Sequence, residues 1–167
     1  VVEIPKEAKL LGYGMDFGFT NDPTTLVAAY ELGDNLYLDE LLYRTNLTNQ
    51  DISTELKALG FDRRNEIFAD DAEPKSIEEL YRMGWNIKPA HKKEVMLGID
   101  IMKRYKIFIT SRSVNMIKEF KNYKYIEDKN GNVLNKPVDL FNHTIDPVRY
   151  ICYNKKSRPN YGKYAVR

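Results

Sequence analysis

The sequence predicts an α/β domain built on a mixed sheet flanked by helices. Three observations carry that expectation. Apolar runs at residues 10–17, 24–30 and 36–43 are separated by short turns, which reads as an antiparallel meander. From residue 49 onward, stretches with helical apolar spacing alternate with short apolar runs, the pattern of helices crossing a sheet. A last helix-like stretch between residues 140 and 153 closes the order.

The first run, Leu10-Leu11-Gly12-Tyr13-Gly14-Met15-Asp16, ends in Asn21-Asp22-Pro23, whose residue types build turns. Residues 24–30 and 36–43 return as second and third strands around Gly33-Asp34-Asn35. Thr48 or Asn49 caps a helix with Ile52, Leu56 and Leu59 inward, and Gly60 ends it. A fourth strand spans residues 66–70. Pro74 then suits a first helical turn, and Ile77, Leu80 and Tyr81 form a stripe up to Gly84. A fifth strand covers residues 85–89, a helix residues 95–105 with Ile99 and Met102 inward, and a short strand residues 106–110. Ser113 caps a helix through Phe120. Two β-like runs, 123–127 and 133–134, flank Asn130-Gly131 and predict a hairpin.

At 167 residues the chain has room for one domain with a full core, here residues 1–154, followed by a basic tail at 155–167. Its 43% hydrophobic and 30% charged content fits a globular chain, not a disordered one. No apolar run reaches the length of a membrane-spanning helix, and no secretory signal opens the sequence. The lone Cys152 cannot form an internal disulfide. The chain opens on Val1, so the expectation is a piece of a longer protein. A net charge of +2 is too small to argue for nucleic acid. The tail is different: Lys155, Lys156, Arg158, Lys163 and Arg167 carry no acid among them and are interleaved with Tyr161 and Tyr164. It suits phosphate and base contacts, or equally a solvated linker.

The chemistry centres on separated aspartates. Asp16 ends a buried strand, where an unpaired carboxylate costs several kcal/mol, and Gly14 and Gly18 leave room for a close approach. The alternative for Asp16 is a turn or capping acid. Asp70 closes the fourth strand, and the C-terminal ends of central strands are where open α/β sheets put their sites. Asp71 must face the other way from Asp70 on a strand, and with Glu73 it suits the positive end of the next helix. Asp146 follows His143 by three residues and Asp139 by seven, spacings that share one helical face, although Pro147 places a helix start nearby. With no Cys pair and only His91 and His143 as imidazoles, such a set suits Mg²⁺ or Mn²⁺, as two ions, over structural zinc. Lys88, His91, Lys92 and Lys93 form a basic cluster that fits either DNA phosphate or ordinary surface. No phosphate loop, dinucleotide fingerprint or nucleophile elbow is present.

Three stretches together resemble the C-terminal nuclease domain of the large terminase subunit of tailed bacteriophages. They are residues 14–23 (GMDFGFTNDP), 69–77 (ADDAEPKSI) and 142–150 (NHTIDPVRY). The resemblance runs in order from about Ile4 to Tyr153. It implies a ribonuclease H-like fold and a metal-dependent endonuclease that cuts concatemeric viral double-stranded DNA for packaging. It assigns the acidic triad to Asp16, Asp70 and Asp146, and the histidine of the last motif to His143. It also implies an ATPase motor domain in the same full-length chain, a portal and a small terminase subunit as partners, and action in the host cytoplasm without a membrane. Asp71 stands where a small residue such as Ser is expected, which makes it a possible extra ligand. Pro147 stands where Ala is expected, and the segment around Lys92 lacks a glycine-rich form. Two rivals stay open: a junction resolvase or transposase-like nuclease on the same fold, and a non-catalytic DNA-binding or docking module of the packaging motor.

Overall fold

A computed structural model describes residues 3–18, 20–90, 95–128 and 142–156. Eleven elements follow in the order β1 (Lys9–Asp16), β2 (Thr24–Leu32), β3 (Asn35–Arg44), α1 (Asn49–Ala58), β4 (Ile67–Ala69), α2 (Pro74–Arg82), β5 (Ile87–Pro89), α3 (Val95–Lys103), β6 (Lys106–Ile109), α4 (Val114–Asp128) and α5 (Ile145–Lys156). The strands form one sheet in the order β5-β4-β1-β2-β3-β6. The meander β1-β2-β3 is antiparallel, as the short turns require. β4 joins β1 in parallel, β5 joins β4 in parallel, and β6 joins the far edge parallel to β3. Each parallel addition is preceded by a helix, the crossover that such pairing needs.

Strand alternation divides the core in two. On one face Met15, Leu26, Ile67 and Ala69 pack with Ile52 and Leu56 of α1, Ile77 and Leu80 of α2, and Trp85. On the other, Val27, Ala29, Leu36 and Leu38 pack with Ile101 and Met102 of α3, Met116 of α4, and Ile145, Val148, Ile151 and Cys152 of α5. The result is a sheet between two helical layers. Trp85 closes the first core with its indole N–H on Ser53 Oγ at 2.9 Å, so its single polar atom is satisfied inside. Among the described residues, no helix is long and apolar enough to cross a membrane.

Thr48 caps α1 through a reciprocal box with Asp51. Gly60 and Gly84 take left-handed φ values of 67° and 99° just beyond α1 and α2, a conformation that a Cβ disfavours. Four expectations are corrected. Leu59 is the C-cap of α1 and 47% exposed, because Ile52 and Leu56 already cover the sheet. Tyr81 is 64% exposed, being rotated beyond the Ile77–Leu80 stripe of α2 toward solvent. The run 123–127 is helical: α4 continues to Asp128, since no Gly or Pro interrupts it and Met116 and Phe120 anchor it at i, i+4 spacing. The Asn130-Gly131 turn lies outside the described residues. Finally, α5 extends to Lys156, so Lys155 and Lys156 belong to a helix and not to a tail.

Candidate active site

Asp16 is the last residue of β1, and Asp70 directly follows β4. The parallel register sets Met15 opposite Ala69, and the Asp70 N–H donates to the Met15 carbonyl at 3.3 Å, so the two acids leave adjacent strand ends side by side. Met15 and Ala69 both point into the α1–α2 core, and alternation sends Asp16 and Asp70 to the α5 side. Both are half-buried. The Asp70 carboxylate also accepts the Ala72 N–H at 3.0 Å, which ties it to the turn leading into α2. Asp71 is exposed in that turn.

The third acid arrives on α5. Asp146 is in its first turn, with Pro147 beside it, where a missing N–H costs nothing. The helix comes very close to the sheet. A Cβ built on Gly14 would lie 2.3 Å from the Pro147 carbonyl oxygen, so only glycine fits two residues before Asp16. One turn along, Tyr150 is 1% exposed and packs on Phe68 and Ala90. Burial first, then the charges of Asp16, Asp146 and Asp70, push its phenol far above the ordinary tyrosine range. One hydroxyl therefore lies within the field of all three acids. Among the described residues, no three carboxylate, imidazole or thiol groups close into a ready-made metal cage. Arg149 Nη2 lies 3.2 Å from Asp146 Oδ1.

His143 precedes α5, so it does not share a helical face with Asp146. Its Nε2 is 3.9 Å from Asp22 Oδ1, and its ring stands edge-on to Tyr43 with centroids 6.4 Å apart. Its carbonyl accepts the Thr25 hydroxyl at 2.6 Å, and Thr25 is the β2 residue paired with Asp16. Next to it, Thr144 donates both its N–H and its hydroxyl to Glu119 Oε1, each at 2.7 Å, while Tyr43 donates to Oε2 at 3.2 Å. Burial, then Glu119, pushes the Tyr43 phenol up to about 12.

Glu119 is 3% exposed and locks the segment that presents Asp146. Sequence reasoning missed it. An acid inside the helical pattern of α4 looks like a solvent residue, and its partners are 25 and 76 positions away. Glu119→Ala is expected to strand two buried donors of Thr144 and the half-buried Tyr43 hydroxyl, and to cost about 3 kcal/mol or more. Glu119→Gln, which keeps an acceptor, is expected to cost less. Urea denaturation of both variants checks the order, and equal stability of Ala and wild type would refute the lock.

Lys88 on β5 gives its ammonium to Glu66, which also pairs with Lys155 of α5 at 2.9 Å. Lys88 is paired with Phe68 in the middle of β4, and its ammonium points back to Glu66, away from Asp70. Lys92, Lys93, His91 and Asp139 lie outside the described residues.

Residues 16–153 match the family model described as Terminase RNAseH like domain. The chain is 33% identical over 156 residues to the large terminase subunit of Bacillus phage SPP1, and 29% identical over 142 residues to the PBSX phage terminase large subunit of Bacillus subtilis strain 168. Each alignment covers 82% of this chain, which spans about a third of either relative (34% and 33%). Among solved structures, the large terminase nuclease domain of bacteriophage SPP1 with bound Mn superposes with a TM-score of 0.70 at 27% identity, covering 87% of this chain and 85% of that one. The P22 large terminase nuclease domain gives 0.66 at 17% identity, covering 94% and 85%, and speaks for the fold alone.

Proposed function

This chain belongs to the terminase ribonuclease H-like domain family, and on that premise we propose that it is a divalent-metal-dependent endonuclease. Its substrate in this reading is concatemeric viral double-stranded DNA, cut for packaging. The observation that carries the reading is the placement of Asp16 and Asp70 at adjacent parallel strand ends on the side of the sheet that α5 covers, with Asp146 in the first turn of α5 and the charges of all three acting on the Tyr150 hydroxyl.

The donor set fits Mg²⁺ or Mn²⁺: three hard carboxylates and no thiolate within the site. Asp16 would serve both of two ions, with Asp70 and Asp146 each completing one. When bound, such ions supply Lewis acidity at the phosphodiester and activate water for attack. The protein's own contribution is placement. The β1–β4 register sets Asp16 beside Asp70, and Thr25 and Glu119 hold the 142–146 segment against the sheet. Tyr150 keeps its proton and adds no further negative charge at the centre. His143, turned toward Asp22 and Tyr43, is assigned to the substrate side and not to Asp146. An ATPase motor in the same full-length chain, a portal, a small terminase subunit and the host cytoplasm complete the proposed context.

Plasmid cleavage with Mn²⁺, with Mg²⁺ and with EDTA, run beside Asp70→Ala, tests the reading. The expected result is nicking and linearisation with either metal, and none with EDTA or in the variant. Folded protein that binds DNA but cuts with neither metal would point to a docking module. A strong preference for branched DNA would point to a resolvase-like enzyme.

A further inference from the structure

We propose that Arg149 is a built-in counter-ion of the acidic centre, whose fixed positive charge on Asp146 holds down the affinity of the DNA-free domain for divalent ions. The inference rests on the metal-nuclease reading of the three acids. Arg149 is a positioning residue in this scheme and touches no substrate.

Three observations support it. The guanidinium Nη2 is 3.2 Å from Asp146 Oδ1, and the two side chains are only 7% and 17% exposed, so water and salt screen the pair little. The stem is fixed: a Cβ on Gly98 of α3 would lie 2.5 Å from Arg149 Cγ, so α3 lies directly on the side chain. The guanidinium carbon stands 5.3 Å from the centroid of the Tyr150 ring, whose hydroxyl is in the field of Asp16, Asp70 and Asp146. Its positive charge acts on that hydroxyl in the sense opposite to the three acids. A buried arginine in such a place needs negative charge to keep it, and the acids are that charge.

The consequence is competitive. Arg149 cancels one of the three negative charges and occupies the carboxylate that would serve an ion. A dication approaching Asp146 meets both the lost attraction and a fixed like charge. An ordinary i,i+3 surface pair would exert neither effect, because it swings away and is screened.

The test measures Mn²⁺ binding to DNA-free protein by titration calorimetry, with free Mn²⁺ followed by its paramagnetic resonance signal. R149Q and R149M are expected to bind Mn²⁺ on the order of ten-fold tighter than wild type. R149K, which keeps the charge, is expected to stay within about two-fold. G98A retains Arg149 but crowds its stem off Asp146, and is expected to tighten binding as well. If any of R149Q, R149M or G98A that is folded by circular dichroism binds no tighter than wild type, the inference is overturned. So it is if R149K tightens binding as much as R149Q, because charge is then not the cause. D16N runs in parallel. If it leaves wild-type Mn²⁺ binding unchanged, the bound ion is not at the acids, and the metal reading itself fails.

Discussion

Asp16→Asn is expected to leave a folded domain that no longer cuts DNA. The packing at this strand end is carried by Met15, which is fully buried in the α1–α2 core, while Asp16 is half-buried on the opposite face among other acids. Asn keeps the size and the backbone of β1 and removes one of several crowded negative charges. Unfolding stability is therefore expected to stay within about 1 kcal/mol of wild type, or to rise. Catalysis is different, because Asp16 is the acid assigned to both ions. Losing it is expected to lower cleavage by a thousand-fold or more, about 4 kcal/mol of transition-state stabilisation. Plasmid linearisation under Mn²⁺ and thermal denaturation, measured on the same preparation, separate the two effects. A variant that melts early yet retains cleavage would make Asp16 a structural acid.

How far the sequence announces this site depends on the range over which each feature acts. The Met15–Asp16 and Ala69–Asp70 steps are local. A strand that buries one residue turns the next to the other face, so both acids were legible from alternation alone. Asp146 was legible from its motif and from the proline beside it. What holds Asp146 was not. Thr25 reaches His143 across 118 positions, and Glu119 reaches Thr144 across 25. Nothing in the local pattern of a helix marks one glutamate as buried. Arg149 has the same character: its spacing from Asp146 is visible, but its burial comes from α3 lying over it at Gly98. The misread segment at 123–127 has the opposite cause. Aromatic residues there look β-prone, and the continuing helix overrides that weak preference. Leu59 and Tyr81 show a related effect, since an apolar residue at helical spacing is buried only if the sheet extends beneath it.

Gly14→Ala is expected to be among the most damaging single-methyl changes in the domain. The added carbon would lie 2.3 Å from the Pro147 carbonyl oxygen, 2.7 Å from its carbon and 3.0 Å from its Cα. All three are backbone atoms, so no side chain can rotate to make room. β1 cannot give way either, because it is held by β2 on one side and β4 on the other. The strain must move α5, at an expected cost of about 3 kcal/mol. The shift also carries Asp146 away from Asp16, so cleavage is expected to fall further than the stability loss accounts for when both are measured well below the melting transition. Gly12→Ala is the matched control on the same strand and face. Its new carbon meets the Phe68 ring at 3.4 Å and the Ile151 and Lys155 side chains at 3.8 Å, contacts that flexible groups absorb. Urea denaturation is therefore expected to rank Gly14→Ala well below Gly12→Ala. Equal stability of the two would mean that α5 does not press on β1 at Pro147. In that case the glycine before Met15-Asp16 would have no part in bringing the third acid to the first.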